Sequence, residues 1–402
     1  MLANILVTLL LLAAVDWPQW RGPSRDGATA GTEEPPVWPE KLQRKWVMRV
    51  GEGHSSPVLA GGRVYLHSRE GSLEVVRSIR LDSGQELWKQ TYDAPYTVNP
   101  AATNHGKGVK STPLVHVGRV YTLGIGGVLS CFDAASGKLE WRHDFKNQFK
   151  STSPEFGVAM SPVADGGAVI AHVGGEEGAL TAFDAATGKV KWSWTGDGPA
   201  YASPVLAEFN GVRQVITHTR KNVVGLRAST GELLWKIPFT TPYVQNSVTP
   251  LAVDGKLIIS GLSNGAFALA VVKRGAQWTT EKVWHSDEAS MYMSSPVAFG
   301  SRLYAFSNKN KGQLVCLSAA NGKTIWTSPP RLGDNAALVR TGKHLLMLTD
   351  NAELTVLRGD AATFEIARKY AVAASSTWAH PVPAGKGLLI KDVSSLALWS
   401  WE

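Results

Sequence analysis

The chain has 402 residues, 44% hydrophobic and 18% charged, with 40 glycines, 21 prolines and two cysteines. This balance excludes a disordered chain, a collagen-like repeat and a disulfide-framed miniprotein. A formal net charge of +8 and a pI near 9.3 suit an anionic surface, such as lipid head groups or acidic polymers of a cell envelope. No stripe of Lys and Arg interleaved with aromatics points to nucleic acid.

In chain order, residues 2–15 are apolar apart from Asn4 and Thr8, and lead into Ala13-Ala14-Val15-Asp16. The run is short for a membrane span and fits a secretory signal peptide over 1–15. The expectation is an exported chain, periplasmic or secreted, with no transmembrane span once the leader is removed. No cysteine follows the run, so a lipid anchor is not expected there. Residues 16–43 form an N-terminal extension, and 44–402 carry a repeat.

The repeat has two markers. The first is a phrase ending in Trp: Asp133-Ala-Ala-Ser-Gly-Lys-Leu-Glu-Trp141, Asp184-Ala-Ala-Thr-Gly-Lys-Val-Lys-Trp192 and Ser318-Ala-Ala-Asn-Gly-Lys-Thr-Ile-Trp326. Looser copies end at Trp88 and Trp235, and all five place Gly four residues before the Trp. Trp46, Trp284 and Tyr370 extend the series to eight positions. The second marker is a small or hydroxyl residue followed by Pro, as in Ser56-Pro57, Thr112-Pro113, Ser161-Pro162, Ser203-Pro204, Thr249-Pro250 and Ser295-Pro296. His380-Pro381 continues it, and Ala337-Leu338-Val339 fills the eighth slot without its Pro.

A period of about 40–50 residues marks a solenoid, propeller or array. Between the markers, apolar runs alternate with Gly-containing turns, which reads as four short strands per unit. Asp-x-x-Ser/Thr/Asn-Gly is turn chemistry, with a side-chain oxygen capping backbone N–H groups and Gly taking positive φ. The predicted fold is all-β: an eight-bladed β-propeller of four-stranded antiparallel blades. Residues 44–50 read as an outer strand that completes the eighth blade and fastens start to end. Cys131 and Cys316 each lie ten residues before a motif Trp. They occupy equivalent positions in opposite blades, too far apart to bridge.

The phrase, in register across blades, resembles the tryptophan-docking motif of PQQ-like, quinoprotein-type β-propellers. Asp16-Trp-Pro-Gln-Trp-Arg-Gly-Pro-Ser-Arg-Asp-Gly27 is similar to the mature start of secreted bacterial propellers of that group. The resemblance covers about 16–402. It implies that Trp88, Trp141, Trp192, Trp235 and Trp326 pack between blades. It also implies one of two functional branches. Quinoprotein dehydrogenases hold pyrroloquinoline quinone and Ca2+ in the funnel, and the large ones carry adjacent cysteines, which this chain lacks. Cofactor-free propellers are similar to the propeller lipoprotein of the outer-membrane β-barrel assembly machine.

Carboxylates near the Ser-Pro markers are few, namely Glu52, Glu155, Glu288 and Asp334, and none matches a family calcium ligand. The expectation is therefore a non-catalytic binding or scaffolding module for protein or envelope polymer, with no cofactor, acting as a monomer or a subunit of a complex. The alternative is a small quinoprotein oxidoreductase binding the quinone and Ca2+. No histidine spacing suggests a metal, and no Gly-x-Ser-x-Gly elbow suggests a hydrolase.

Residues just before the Ser-Pro marker should rim the central channel: His54, Lys110, Met160, Ser203, Ser247, Ser294, Asn335, Trp378 and His380. The loops from Trp88 to Pro113 and Trp141 to Pro162 span 25 and 21 residues, against 11 to 15 in most other blades. They bring His105, Lys107, Lys110, Lys146 and Lys150 to one face. Long loops on a rigid scaffold are where binding tends to sit, so these residues are the candidate recognition surface.

Overall fold

The computed structural model describes residues 16–29 and 32–402, so the expected signal peptide lies outside the described residues. Eight four-stranded antiparallel sheets follow one another along the chain. Blade 1 runs through Val58–Ala60, Arg63–Glu70, Leu73–Arg80 and Glu86–Asp93. Blades 2 to 7 start at Leu114, Val163, Val205, Leu251, Val297 and Ala336. Each opens with its inner strand, immediately after the Ser/Thr-Pro marker in all but blade 7. Blade 8 takes three strands from residues 382–400 and its outer strand, Gln43–Arg49, from the other end of the chain. Val47 pairs with Ala397 and Arg49 with Ser395. The ring therefore closes as expected, by a strand that begins one residue earlier than the sequence suggested.

Among the described residues the core is divided into separate clusters rather than gathered at one centre. Buried side chains form slabs between neighbouring blades, each filled from both sides. Val58, Tyr65 and Val76 of blade 1 meet Val120 and Phe132 of blade 2. Ile170 and Leu180 meet Val215 and Val224 between blades 3 and 4, and Tyr304 and Cys316 meet Leu345 and Met347 between blades 6 and 7. The slab joining blades 7, 8 and 1 includes Leu346, Leu389 and Val64.

The repeated phrase locks these slabs. Its Gly lies against the Trp ring of the preceding blade. A Cβ on Gly137 would stand 2.6 Å from the Trp88 ring, on Gly188 2.8 Å from Trp141, and on Gly231 2.4 Å from Trp192. The same contact joins Gly84 to Trp46 and Gly322 to Trp284. Each indole N–H then donates to a carbonyl of the same turn, as in Trp88 Nε1 to Ala134 O at 3.0 Å and Trp192 Nε1 to Ala228 O at 3.0 Å. Burial of a large ring and satisfaction of its one donor are achieved together.

One expectation is refined and one corrected. Trp235 packs between blades as expected, against Leu257, Ile259 and Leu269 of blade 5, but its Nε1 donates to Gln214 Oε1 in its own blade at 2.7 Å, and blade 5 offers no Gly at the phrase position. In blade 7 the register places Arg368, not Tyr370, where other blades have Trp. Arg368 pairs with Val356 at the bulge, as Trp326 pairs with Cys316. The extension fills that gap. Trp38 packs against Tyr370 and Trp401, with ring centroids 6.5 and 5.2 Å away. Trp401 donates to Glu33 O at 3.0 Å, and Glu34 accepts from Lys343 N–H at 2.9 Å. The two cysteines are free and buried, in separate blades. Burial pushes their thiols up to about 12 and about 11, which leaves them inert.

Buried histidines make the ring acid-sensitive. His218 has neither ring nitrogen hydrogen-bonded among the described residues and lies edge-on to Phe239 at 4.8 Å. Burial lowers its pKa from 6.5 to about 3, and that of His172 to about 4. The unfolded imidazole therefore binds its proton at higher pH than the folded one. Stability from this source is complete above the unfolded value and is lost as pH falls towards the folded one. Urea melts between pH 6 and pH 4 should show falling stability, and His218→Leu should flatten the slope by about 1.4 kcal/mol per pH unit.

The Gly-Trp contact has its own test. Trp88→Ala should cost about 3–5 kcal/mol. Gly137→Ala should destabilise more than Gly62→Ala in equilibrium unfolding. Both glycines have positive φ, 75° and 72°, but a Cβ on Gly62 meets nothing within 4 Å.

Candidate functional site

The hydroxyls of the Ser/Thr-Pro marker form a belt around the channel. His380 N–H donates to Ser56 Oγ at 2.9 Å, Ser56 N–H to Thr112 Oγ1 at 3.1 Å, and Thr112 N–H to Ser161 Oγ at 2.9 Å. Ser161 N–H continues to Ser203 Oγ at 2.9 Å, and Thr249 N–H donates to Ser295 Oγ at 3.0 Å. Where blade 7 lacks the marker, Ala336 N–H takes Ser294 Oγ instead, at 3.1 Å. The marker recurs because the hydroxyl satisfies the N–H of the residue before the neighbouring proline, which is buried and would otherwise be orphaned.

The extension crosses this belt. Trp17 pairs with Leu59 of blade 1 in both directions, at 2.8 and 2.9 Å. Pro18 O accepts from Val115 N–H of blade 2 at 2.7 Å, and Trp20 Nε1 donates to Thr249 Oγ1 beside blade 5 at 3.0 Å. Arg25 donates to Ser161 O and Pro162 O beside blade 3 at 2.9 and 2.8 Å. Arg21 donates to Pro296 O beside blade 6, and Gly27 O accepts from Arg340 N–H of blade 7 at 2.7 Å. A short segment that touches six blades at their inner strands must lie across the axis, so residues 16–29 plug the channel.

Both arginines are almost completely buried. Desolvation lowers Arg21 to about 10 and Arg25 to about 9, so both stay charged at neutral pH, held by carbonyl oxygens. Gly22 lets the plug turn at φ 82°, where a Cβ would stand 2.8 Å from the Trp17 ring. The sequence singled out this opening motif but not its seat.

Above the plug the channel is a blind cup of about 190 Å³. Its floor is Trp20 and His380, whose ring centroids are 4.4 Å apart. On one wall Trp378 stands 4.9 Å from His105 and 5.8 Å from His54. Across from it, Phe156 and Tyr201 lie 5.9 Å apart. Gln245, Ser247, Thr249, Tyr292 and Asn335 complete much of the lining. The two long loops meet here. Lys110 Nζ donates to Phe156 O at 2.8 Å, and Asn99 Nδ2 to Glu155 Oε1 at 3.0 Å at the rim.

Burial, with nearby cationic groups, lowers His54 to about 3, and burial also holds His105 and His380 below their usual range. All three imidazoles are therefore neutral at pH 7. Desolvation lowers Lys110 to about 8, which leaves it mostly protonated. It is the cup's cation, and no acidic residue lines the cup.

Of the residues expected at the rim, the cup collects His54, Lys110, Ser203, Ser247, Asn335, Trp378 and His380, joined by His105 from the long loop; Ser294 is buried behind it, donating to Asn335 Oδ1 at 2.7 Å. Met160 is elsewhere, 1% exposed in the apolar slab between blades 2 and 3. The four lysines do not form one patch. Lys110 turns inward, Lys107 and Lys150 are exposed, and Lys146 sits 3.6 Å from Asp144. Tyr201, Tyr292 and Trp20 were not anticipated. Tyr201 was within reach, since it stands two residues before Ser203 of the marker.

A family model described as outer membrane protein assembly factor BamB matches residues 72–328 and 271–364. The chain belongs to the BamB family. A BamB of Shewanella oneidensis is 23% identical over 252 residues, 60% of this chain and 62% of that protein, so the match spans about three fifths of the relative. The dehydrogenase subunit of a quinone alcohol dehydrogenase from Gluconobacter oxydans is 27% identical over 68% of this chain but only 37% of its own length. In fold, BamB from Moraxella catarrhalis superposes with a TM-score of 0.65 at 14% identity, covering 90% of this chain and 98% of that one.

The cup does not suit the calcium that the quinoprotein resemblance implies. Calcium takes several oxygen ligands, carboxylates among them, and no Asp or Glu lines the cup. Glu52, Glu155, Glu288 and Asp334 all lie outside it, with Glu288 3.7 Å from Lys309. Among the described residues no group of three or more His, Cys, Asp and Glu could hold a metal ion, and no helix is long and apolar enough to cross a membrane.

If the plug is as integral as its contacts imply, Arg25→Met should lower stability by about 2–4 kcal/mol in denaturant melts, because it strips two buried carbonyls of their donor. Arg25→Lys should recover little, since one ammonium cannot reproduce the fork.

Proposed function

We propose that this propeller is an exported, non-catalytic scaffold that binds protein partners in outer-membrane protein assembly, in the periplasm. The observation that carries the reading is the BamB family match across residues 72–364, on a ring whose cup is lined by no carboxylate. The apolar run at 2–15 supports export. The binding face is the mouth of the cup, bounded by the loops Tyr92–Thr112 and Phe145–Met160 and, from the junction of blades 4 and 5, by the loop that carries the exposed Tyr243 and the cup residue Gln245. Tyr243 is 79% exposed with φ 59°, a costly conformation for a non-glycine residue. Lys107 and Lys150 are the exposed charges that a partner would meet, and His54, His105, Lys110, Asn335, Trp378 and His380 lie behind them.

Deleting the gene in its native bacterium should lower the level of folded β-barrel proteins in the outer membrane, measured by heat-modifiable gel mobility. The wild-type chain should restore it. A Lys107→Glu, Lys150→Glu, Tyr243→Ala variant of unchanged melting temperature should restore it poorly. Normal barrel levels in the deletion strain would overturn the reading. Saturable quinone binding in calcium, with dye-linked alcohol oxidation, would replace it with the dehydrogenase alternative.

A further inference from the structure

The cup has a chemistry of its own, independent of any protein partner at the rim. Its lining combines one ammonium, Lys110, with flat aromatic walls and an unusual density of neutral hydrogen-bonding groups. Lys110 donates to Phe156 O and forms no ion pair with any carboxylate among the described residues, so two of its three donor positions remain for a ligand. His380 Nδ1 is buried on the floor without a hydrogen-bond partner.

Each class of small ligand can be weighed against these groups. A cation meets Lys110 and no carboxylate. An apolar molecule leaves Lys110 and the polar lining unpaired, which is costly in a dehydrated site. A dianion brings a second charge with no second cation to meet it, because the three imidazoles are neutral. A planar aromatic acid satisfies Lys110 and Trp378 but leaves Ser247, Gln245, Asn335 and the tyrosine hydroxyls facing a hydrocarbon edge. What remains is a ring with one carboxylate, several hydroxyls and a C–H face to lie on an indole. At about 190 Å³ the space suits one such ring, below the roughly 300–1,000 Å³ of drug-sized pockets.

We propose that the cup binds the terminal uronic-acid residue of an acidic saccharide, with the carboxylate at Lys110, the ring face on Trp378, and the hydroxyls among Gln245, Ser247 and Asn335. The plug gives the site its floor: Trp20 blocks the axis, so the saccharide enters by its end and stops.

Calorimetric titration of the full chain with methyl glucuronide, methyl glucoside and benzoate tests this. The glucuronide should bind at least about tenfold more tightly than either of the others, the scale of one charge-assisted hydrogen bond. Lys110→Met should bring the glucuronide down to the glucoside, and Lys110→Arg should keep the preference. Trp378→Ala should weaken both sugars. Melting curves identify any variant that fails to fold, and in that case the wild-type selectivity series still decides. Equal binding of glucuronide and glucoside would overturn the proposal. So would benzoate binding as tightly as the glucuronide, a preference that survives Lys110→Met, or no saturation by glucuronide in the millimolar range.

Discussion

The contact between a glycine and the tryptophan of the preceding blade is what the rest of this molecule stands on. A four-stranded blade is too thin to bury both of its own faces, so its stability resides at junctions. The Gly of each phrase lets one turn approach an indole so closely that any side chain would collide. The turn's carbonyl then takes the indole N–H. One geometry thus sets the spacing, tilt and hydrogen bonding of two blades, and repeating it around a ring leaves little freedom. The glycine is missing opposite Trp235 and Trp326, where Gln214 and Phe364 stand against the indole instead, and at Arg368 the indole itself is missing, so the ring takes Trp38 and its neighbours as filler.

The rigid ring creates a problem that the N-terminal segment resolves. Eight inner strands leave an axial hole rimmed by backbone carbonyls. Two buried arginines offer those carbonyls a cationic fork, which suits a cluster of oxygen dipoles better than a point charge would. The result is a closed base and an open, aromatic-walled mouth. Loops from blades 1–2 and 2–3 stand above it because only those junctions carry long insertions.

Much of the architecture was legible because the repeat is regular in two independent markers. The blade count, the closing strand at Arg44–Val50 and the separation of Cys131 from Cys316 followed from register alone. Misreadings occurred where periodicity meets local exceptions. Trp235 packs between blades like its siblings, but its N–H partner Gln214 is 21 residues away in its own blade, and nothing in the phrase signals it. Tyr370 fell near the expected interval and was two residues out of phase. Met160 precedes a Ser-Pro marker like the rim residues, yet it turns into a slab, since residues before the marker alternate between channel and core. The plug was hidden for a different reason. Trp17, Trp20, Arg21 and Arg25 form a conspicuous motif, but their partners are scattered from Leu59 to Arg340, and no local pattern encodes contacts of that span.

Those spans affect how the chain reaches this state. Arg21 bonds to a residue 275 positions away and Trp401 to one 368 away. Loop closure over such distances is entropically expensive, and non-local topologies fold slowly. Segments synthesised early are thus seated by segments synthesised much later. Until blade 8 is complete, the outer strand has no partner, the plug has only part of its socket, and one terminal blade face stays bare. Such an intermediate is sticky. The molecule is therefore all-or-none in time as well as in space, and truncation from either end should yield aggregation rather than a smaller propeller.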